Sequence, residues 1–341
     1  VQPVGIEDDE SSGGVVKWRM LEPLLMRPVY AEKPWAGGRL PAFGKAAGSR
    51  VGESWEVADL PPDETQTLSE PWTTVDGGRY DGWTLTALIR RFGPALLGSA
   101  AAVEGRFPLL VKLLDAGQHL SVQVHPPARY VREHRGARLK TESWYVLAAE
   151  PGAELFLGTR PGVDHETIVA AIGSPELAGL LRSVAAVPGS FHHLPAGLIH
   201  ALGAGVMVAE VQTPSDTTFR MYDWTEEYGR APRQLHLVQA AEALDLDPPE
   251  AFDLEPATGA GSRLLVDTPF YRIREYRRVV PDWEEAEARV VMVLTGSMEI
   301  GGRIAPTGTT WLIPASIALT TPVGASGDLI CLEVGLGSGG G

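Results

Sequence analysis

Four residues in three separated segments could hold one divalent metal ion: Gln123 and His125 in QVHP, Glu142 at the end of KTE, and His200 at the end of PAGLIH. Imidazole nitrogens, a carboxylate and an amide oxygen make a mixed N/O set that suits Zn²⁺, with Mn²⁺, Co²⁺ and Fe²⁺ also compatible. In the run His119, Ser121, Gln123, His125 every second residue is polar, with Leu120, Val122 and Val124 between them. A strand with that alternation has one polar and one apolar face, so Gln123 and His125 point the same way and can reach one ion. The polar face fits either an inward-facing site or a solvent-facing strand. Glu142 opens the strand-like run SWYVLA and is either a ligand or a solvated strand end. His200 is presented by a turn at Pro195 to Gly197. His119, His192 and His193 read as structural, and His134, His165 and His236 as surface or helix-packing residues.

The elements that must position these ligands are short β-prone runs separated by Gly/Pro turns: LLVKLL, LSVQVH, SWYVLA, SFHHLP, VMVAEVQ, VVMVLTG and TTWLIP. This rhythm predicts a sandwich or barrel. Helical character interrupts it at 84–97, 164–182 and 234–246, with Asp164 as the cap of the second stretch. An internal repeat organises the rest. In GSFHHLPAG and GTTWLIPAS, glycine (Gly189, Gly308) is followed by five residues and then proline (Pro195, Pro314). His200 lies five positions past the first proline, and Leu319 stands at that spacing after the second. The repeat predicts duplicated barrels of which only the first carries metal. The expected organisation is a tail at 1–19, a catalytic metal-binding domain with helical insertions at 20–250, a metal-free barrel at 251–336 and a tail at 337–341.

Composition narrows the partners. The 341 residues, 44% apolar, suffice for more than one core. Lys and Arg total 29 against 43 Asp and Glu, a net charge of -14. Such a surface repels nucleic acid and anionic membranes, and an anionic substrate needs a local basic pocket. The single cysteine, Cys331, rules out an intrachain disulfide and a multi-thiolate zinc site. Together with the lack of a signal-like start or of an apolar run of about 20 residues, this predicts a cytoplasmic protein.

The segment GSFHHLPAGLIH resembles the second conserved motif of cupins. LSVQVHP, KTE, LPAGLIHAL and AEVQTPSDTTFRMYDW, with KPWAGGRL and GESWEVAD near the start, resemble type I mannose-6-phosphate isomerases of the shorter bacterial branch. The likeness runs from about Lys33 through His236. It implies a mainly β chain of two cupin-type jelly-roll barrels with helical excursions, one Zn²⁺ on Gln123, His125, Glu142 and His200, and a sugar-phosphate substrate for a monomer or homodimer. It also implies a catalytic Arg220 with Glu210 and Lys140, and substrate contacts from Ser121, Lys140, Lys112 and Trp35. Thr141 stands where longer members have proline, and His192 with His193 replaces their aromatic pair. The expected reaction interconverts mannose 6-phosphate and fructose 6-phosphate through a cis-enediol. Two other readings stay open: an iron-dependent cupin oxygenase using only His125, Glu142 and His200, and a sugar-phosphate-binding cupin without catalysis.

Overall fold

The computed structural model describes residues 21–65, 68–248 and 250–337, so the expected tails, apart from Gly337, lie outside the described residues. All pairings between the named strands described are antiparallel, in three sheets. A seven-stranded sheet runs in the order Phe252–Leu254, Phe191–Leu194, Glu142–Ala149, Val206–Gln212, Leu110–Ala116, Val51–Val57, Val29–Glu32. Facing it is a five-stranded sheet in the order Phe219–Tyr222, Val122–Val124, His200–Leu202, Glu154–Thr159, Leu181–Ala185. Their inner faces meet in one apolar cluster, where Leu114, Trp144 and Val208 from the first sheet pack with Leu155, Leu157 and Leu202 from the second. This is the first barrel.

Alternation along Val122–Val124 then has a direct structural reading. Val122 and Val124 join Ile168, Leu177, Met221 and Ala240 in a cluster that packs helices against the outside of the five-stranded sheet, which leaves Gln123 facing inward. The predicted helices are found at Leu85–Phe92 with Pro94–Leu97, at His165–Ala171 with Glu176–Leu180, and at Leu237–Ala243. Asp164 caps its helix by accepting from the Thr167 amide at 2.8 Å. The expected helix over 164–182 is broken between Ala171 and Glu176, where Gly173 has a positive φ and Pro175 follows, and its last residues form the strand Leu181–Ala185 instead.

The second barrel is an eight-stranded sheet built on the long strands Arg289–Ile300 and Val323–Leu336. Register shifts at Val293/Thr295 and Thr295/Ser297 let this pair curl around a core of Tyr276, Val291, Val293, Trp311, Ile313 and Cys331. Burial pushes the Cys331 thiol up to about 12, so it packs as a small apolar group. Between the barrels lies a shared core, with Leu113, Tyr145 and Val211 on one side and Ile273, Val290 and Leu332 on the other. The repeat is visible: Gly189 and Gly308 both have positive φ and lead into Phe191–Leu194 and Thr310–Ile313.

The expected division at 250/251 is crossed in both directions, and Thr74–Val75 also joins the second barrel's sheet through Leu24–Arg27. Leu24–Arg27 pairs with Thr310–Ile313 of the second barrel, whereas Phe252–Leu254 pairs with Phe191–Leu194 of the first. Each stretch covers an edge that would otherwise expose unpaired backbone groups. Edge pairing of this kind is long-range, and no local sequence pattern encodes it.

Candidate metal centre

Register places the predicted ligands. Glu142 is the first residue of its strand, flanked by Leu194 on one side and Gln212 on the other. Across the barrel, His200 pairs with Gln123, and Gln123 pairs on its other side with Arg220. Paired residues on neighbouring antiparallel strands point to the same face, so Arg220, Gln123 and His200 form one inward row. Gly197, at φ 96°, turns the chain after Pro195 and donates its amide to the His125 carbonyl at 3.0 Å, which ties the two histidine segments together. A side chain at that φ would be strained and would also meet Asp245.

Within this frame the ligand atoms converge. His125 Nε2 lies 3.2 Å from Glu142 Oε2, and His200 Nε2 lies 3.2 Å from Glu142 Oε1. Glu142 is wholly buried and both histidines are 1% exposed. Each imidazole directs Nδ1 at a backbone carbonyl, His125 at Thr217 (3.0 Å) and His200 at Leu198 (2.8 Å). A carbonyl there fixes the proton on Nδ1 and leaves the Nε2 lone pair for the centre, as in metal-bound histidines. His125 Nε2 and both Glu142 oxygens are buried without a hydrogen bond. Three acceptor atoms left unsatisfied and aimed at one point fit a cation, because each would otherwise carry a desolvation cost of about 1–3 kcal/mol. The three residues hold their ligand atoms within 4.8 Å of one another.

Gln123 lies beside this set. Its Nε2 is 3.2 Å from His200 Nε2, and its Oε1 is 3.4 Å from Ser121 Oγ. A half turn of the amide exchanges the two atoms and brings the oxygen to the side of His200, with Ser121 as acceptor for the NH₂.

Charges alternate around the ligands. Lys140 Nζ is 3.1 Å from Glu142 Oε2. Burial alone would raise the Glu142 carboxyl, but Lys140, then His125 and His200, hold it well below the usual carboxylate range. His125 is pushed down to about 3 by burial and then by Lys140, so it stays neutral and able to donate a lone pair. Glu210 is raised, by burial first and by Glu142 second, against the pull of Lys112 and Lys140; Trp144 Nε1 donates to it at 2.9 Å. Lys112 sits 3.3 Å from Asp216 and 3.8 Å from Glu210, over the Trp55 ring at 4.5 Å. Glu53, held by Lys33 (2.9 Å) and the Trp55 indole (2.8 Å), and Asp216, held by Thr65 (2.6 Å), complete the wall.

Several of these wall residues carry no role in the sequence reading. Glu53 and Trp55 stand two apart in GESWEVAD and Asp216 lies in SDTTFRMYDW, so alternate-residue spacing on a strand was the available signal for the first two. Trp35, expected at the substrate, is 2% exposed and packs with Leu114, Leu120 and Trp144 in the apolar cluster, with the Lys33 ammonium 5.9 Å from its ring. Arg220 donates through Nη1 to the Gln234 carbonyl at 2.8 Å, and its buried Nε has no partner. His119 stacks on Trp224 at 4.4 Å, away from the ligands. His192 and His193, on opposite faces of one strand, are both buried, bonded to Asp253 and Ser143 respectively.

No family model matches the chain. Mannose-6-phosphate isomerase ManA of Bacillus subtilis is 38% identical over 229 residues, which cover 66% of this chain and 69% of that protein. Mannose-6-phosphate isomerase of Streptococcus mutans is 34% identical over 266 residues, 76% of this chain and 79% of that one. The chain belongs to the mannose-6-phosphate isomerase family. The crystal structure of the Bacillus subtilis mannose 6-phosphate isomerase superposes with a TM-score of 0.76 at 26% identity, over 92% of this chain and 99% of that one. A solved structure from Archaeoglobus fulgidus shares the fold, with a TM-score of 0.71 at 19% identity over 93% of this chain and 99% of that one. Among mannose-6-phosphate isomerases, then, this member places its convergent His125, Glu142 and His200 between the two sheets of the first barrel. Among the described residues no helix is long and apolar enough to cross a membrane.

Proposed function

We propose that the chain interconverts mannose 6-phosphate and fructose 6-phosphate with one Zn²⁺ held by Gln123, His125, Glu142 and His200. The observation that carries this reading is the set of buried ligand atoms without a hydrogen bond that converge among charged side chains, in a chain whose relatives are mannose-6-phosphate isomerases. When bound, Zn²⁺ supplies Lewis-acid polarisation of the sugar oxygens and stabilises the negative charge that grows on them.

The chain's own groups do the rest. Isomerisation takes the proton from C2 of the aldose and returns it to C1 through a cis-enediol, with a matching proton shift between the oxygens. Glu210 is assigned to remove and return the carbon-bound proton; burial first and Glu142 second raise its carboxyl above its ordinary value, which favours proton acceptance. The Trp144 indole fixes its orientation. Lys140 keeps Glu142 ionised, and its ammonium donates a hydrogen bond toward the sugar oxygens between which the hydroxyl proton shifts. Arg220, in the row with Gln123 and His200, balances charge on the enediol, and its unpartnered Nε supports that role. With Lys112 and Lys140 it also forms the basic pocket that a phosphate needs on a chain of net charge -14. Ser121 orients Gln123 at the edge of the substrate space. Trp35 supports this wall through apolar packing, which is a smaller role than direct contact.

The oxygenase reading uses the same three residues without Gln123, but the relatives at 34–38% identity are isomerases and give it no support. The test is to incubate the purified chain with mannose 6-phosphate and follow fructose 6-phosphate before and after chelation. Turnover that chelator abolishes and Zn²⁺ restores is expected; chelator-insensitive turnover, or none with any divalent metal, sinks the proposal.

A further inference from the structure

The second barrel touches the metal strand from behind. Glu142 points into the first barrel, so its neighbours Thr141 and Ser143 point out of it, toward the second. Tyr271, the first residue of the second-barrel strand Tyr271–Arg277, is wholly buried with its hydroxyl 3.0 Å from Ser143 Oγ. The same hydroxyl interacts with the Thr141 side chain. Ser143 Oγ is also 2.9 Å from His193 Nδ1, on the adjoining strand, and Thr141 Oγ1 donates to the Leu194 carbonyl at 3.4 Å. Leu194 is the register partner of Glu142. One phenol therefore engages the residues on both sides of a ligand, in a layer of buried side chains where few alternative partners exist.

We infer that Tyr271 is a positioning residue for the metal centre: its hydroxyl holds Thr141 and Ser143 and so sets the backbone from which Glu142 reaches the ion. The physical reason is the steepness of metal coordination with distance. Ligands have to be held within about half an ångström, and groups that orient a ligand without touching the metal commonly change its affinity 10- to 100-fold. A strand's first residue is held by fewer ladder bonds than its middle, and Glu142 is such a first residue. The second barrel, which presents no metal-binding cluster among its described residues, thereby acquires a role in the first barrel's chemistry.

The seam offers its own control. Two residues along the same strand and on the same face, Tyr145 donates to Glu275 of the second barrel at 2.7 Å. That contact joins the barrels equally well but flanks no ligand. In the full-length chain stripped of metal, Zn²⁺ affinity is read by competition with a chromophoric chelator, and the thermal midpoint is read in parallel. Tyr271→Phe, which keeps the ring and removes the hydroxyl, is expected to weaken Zn²⁺ binding about tenfold. Ser143→Ala is expected to weaken binding in the same direction, and the double variant to lose less than the sum of the two, since both remove the Tyr271–Ser143 bond. Tyr145→Phe should lower the thermal midpoint and leave Zn²⁺ affinity unchanged. An unchanged affinity in Tyr271→Phe, or an equal loss in Tyr145→Phe, overturns the inference. If Tyr271→Phe does not fold, Ser143→Ala carries the same expectation and the same power to refute it. The inference rests on Glu142 being a metal ligand, and the two can fail separately. A wild-type chain that binds no Zn²⁺ sinks the ligand assignment, whereas wild-type binding with Tyr271→Phe affinity intact sinks only the positioning role.

Discussion

In the first barrel the strands Phe191–Leu194, Glu142–Ala149, Val206–Gln212 and Leu110–Ala116 lie side by side, and in the second Thr310–Ile313, Arg289–Ile300, Val323–Leu336 and Tyr271–Arg277 follow the same order. Counting from Gly189 and Gly308, Leu194 and Ile313 correspond; the first pairs with Glu142 and the second with Arg289. Continuing across the ladder, Glu210 opposite Trp144 corresponds to Glu333 opposite Val291. The position of the ligand carboxylate in one barrel thus holds a guanidinium in the other. Arg289 is 3.4 Å from Glu333 and donates to the carbonyls of Glu285 (2.9 Å) and Glu287 (2.8 Å), while Trp283 donates to Glu333 at 2.6 Å. There the buried charges are met by the chain itself. At Glu142 Lys140 answers the charge at 3.1 Å but both oxygens lack a hydrogen bond, and that contrast between satisfied and unsatisfied acceptors separates a sealed barrel from a working one.

The largest effect expected is at Glu142, whose oxygens lack a hydrogen bond. Glu142→Gln should lose stoichiometric Zn²⁺ and lower kcat by about 10³-fold or more, since it removes both the charge and one ligand atom. Elemental analysis and turnover check it, and a variant that retains metal and activity would place the ligand elsewhere. The counterpart change is Arg289→Ala, which leaves Glu333 without its guanidinium. It is expected to cost about 3 kcal/mol of folding stability in denaturant titration while metal stoichiometry stays at wild type. Loss of metal without loss of stability would break the contrast between the two barrels.

Arg220 sits between these cases, because part of its guanidinium is met by Gln234 and part is not. Arg220→Ala should keep its metal and lose about 10²-fold in kcat. Full activity in that variant would reduce Arg220 to a loop anchor. His193 belongs to the seam, and burial pushes it down to about 4. An unfolded histidine titrates near 6.5, so between roughly pH 6.5 and 4 the unfolded chain binds a proton that the native one refuses. The stability contributed by keeping His193 neutral is full above that window and is lost as pH falls through it, with a slope of up to about 1.4 kcal/mol per pH unit. His193→Gln should flatten that part of the stability curve, and an unaltered acid slope would show that other groups set it.

Much of this was legible in the chain because it is local. The polar alternation from Ser121 to His125, the Gly-to-Pro spacing around Pro195 and Pro314, and the Asp164 cap each follow from period-two geometry or turn chemistry. What escaped is long-range. Leu24–Arg27 completes the far barrel and Phe252–Leu254 the near one, through pairings that no neighbouring residue announces. The burial of Trp35 is decided by Leu114 and Leu120, which are distant in sequence. Glu53 and Asp216 join the wall through Lys33, Lys112 and Thr65, and such charge pairings appear only when five segments come together.

The smallest expected effect comes from position 319, where the repeat places leucine at the spacing that carries His200 in the first copy. After Pro195 the chain re-enters the sheet as His200–Leu202, whereas after Pro314 it forms the 3-10 turn Ala315–Thr320 and leaves Leu319 56% exposed. Leu319→His therefore restores the residue type but not its place: the side chain faces solvent, and the position that corresponds to Glu142 is held by Arg289, which repels a cation. The change should shift stability by no more than about 0.5 kcal/mol, as is usual for exposed sites, and metal content should remain at the wild-type level. A second equivalent of bound Zn²⁺ in this variant would mean that the second barrel keeps a latent site and that histidine loss alone silenced it. Unchanged stoichiometry would instead assign the silencing to the exchange of carboxylate for guanidinium and to the lost strand after Pro314, which one substitution cannot reverse.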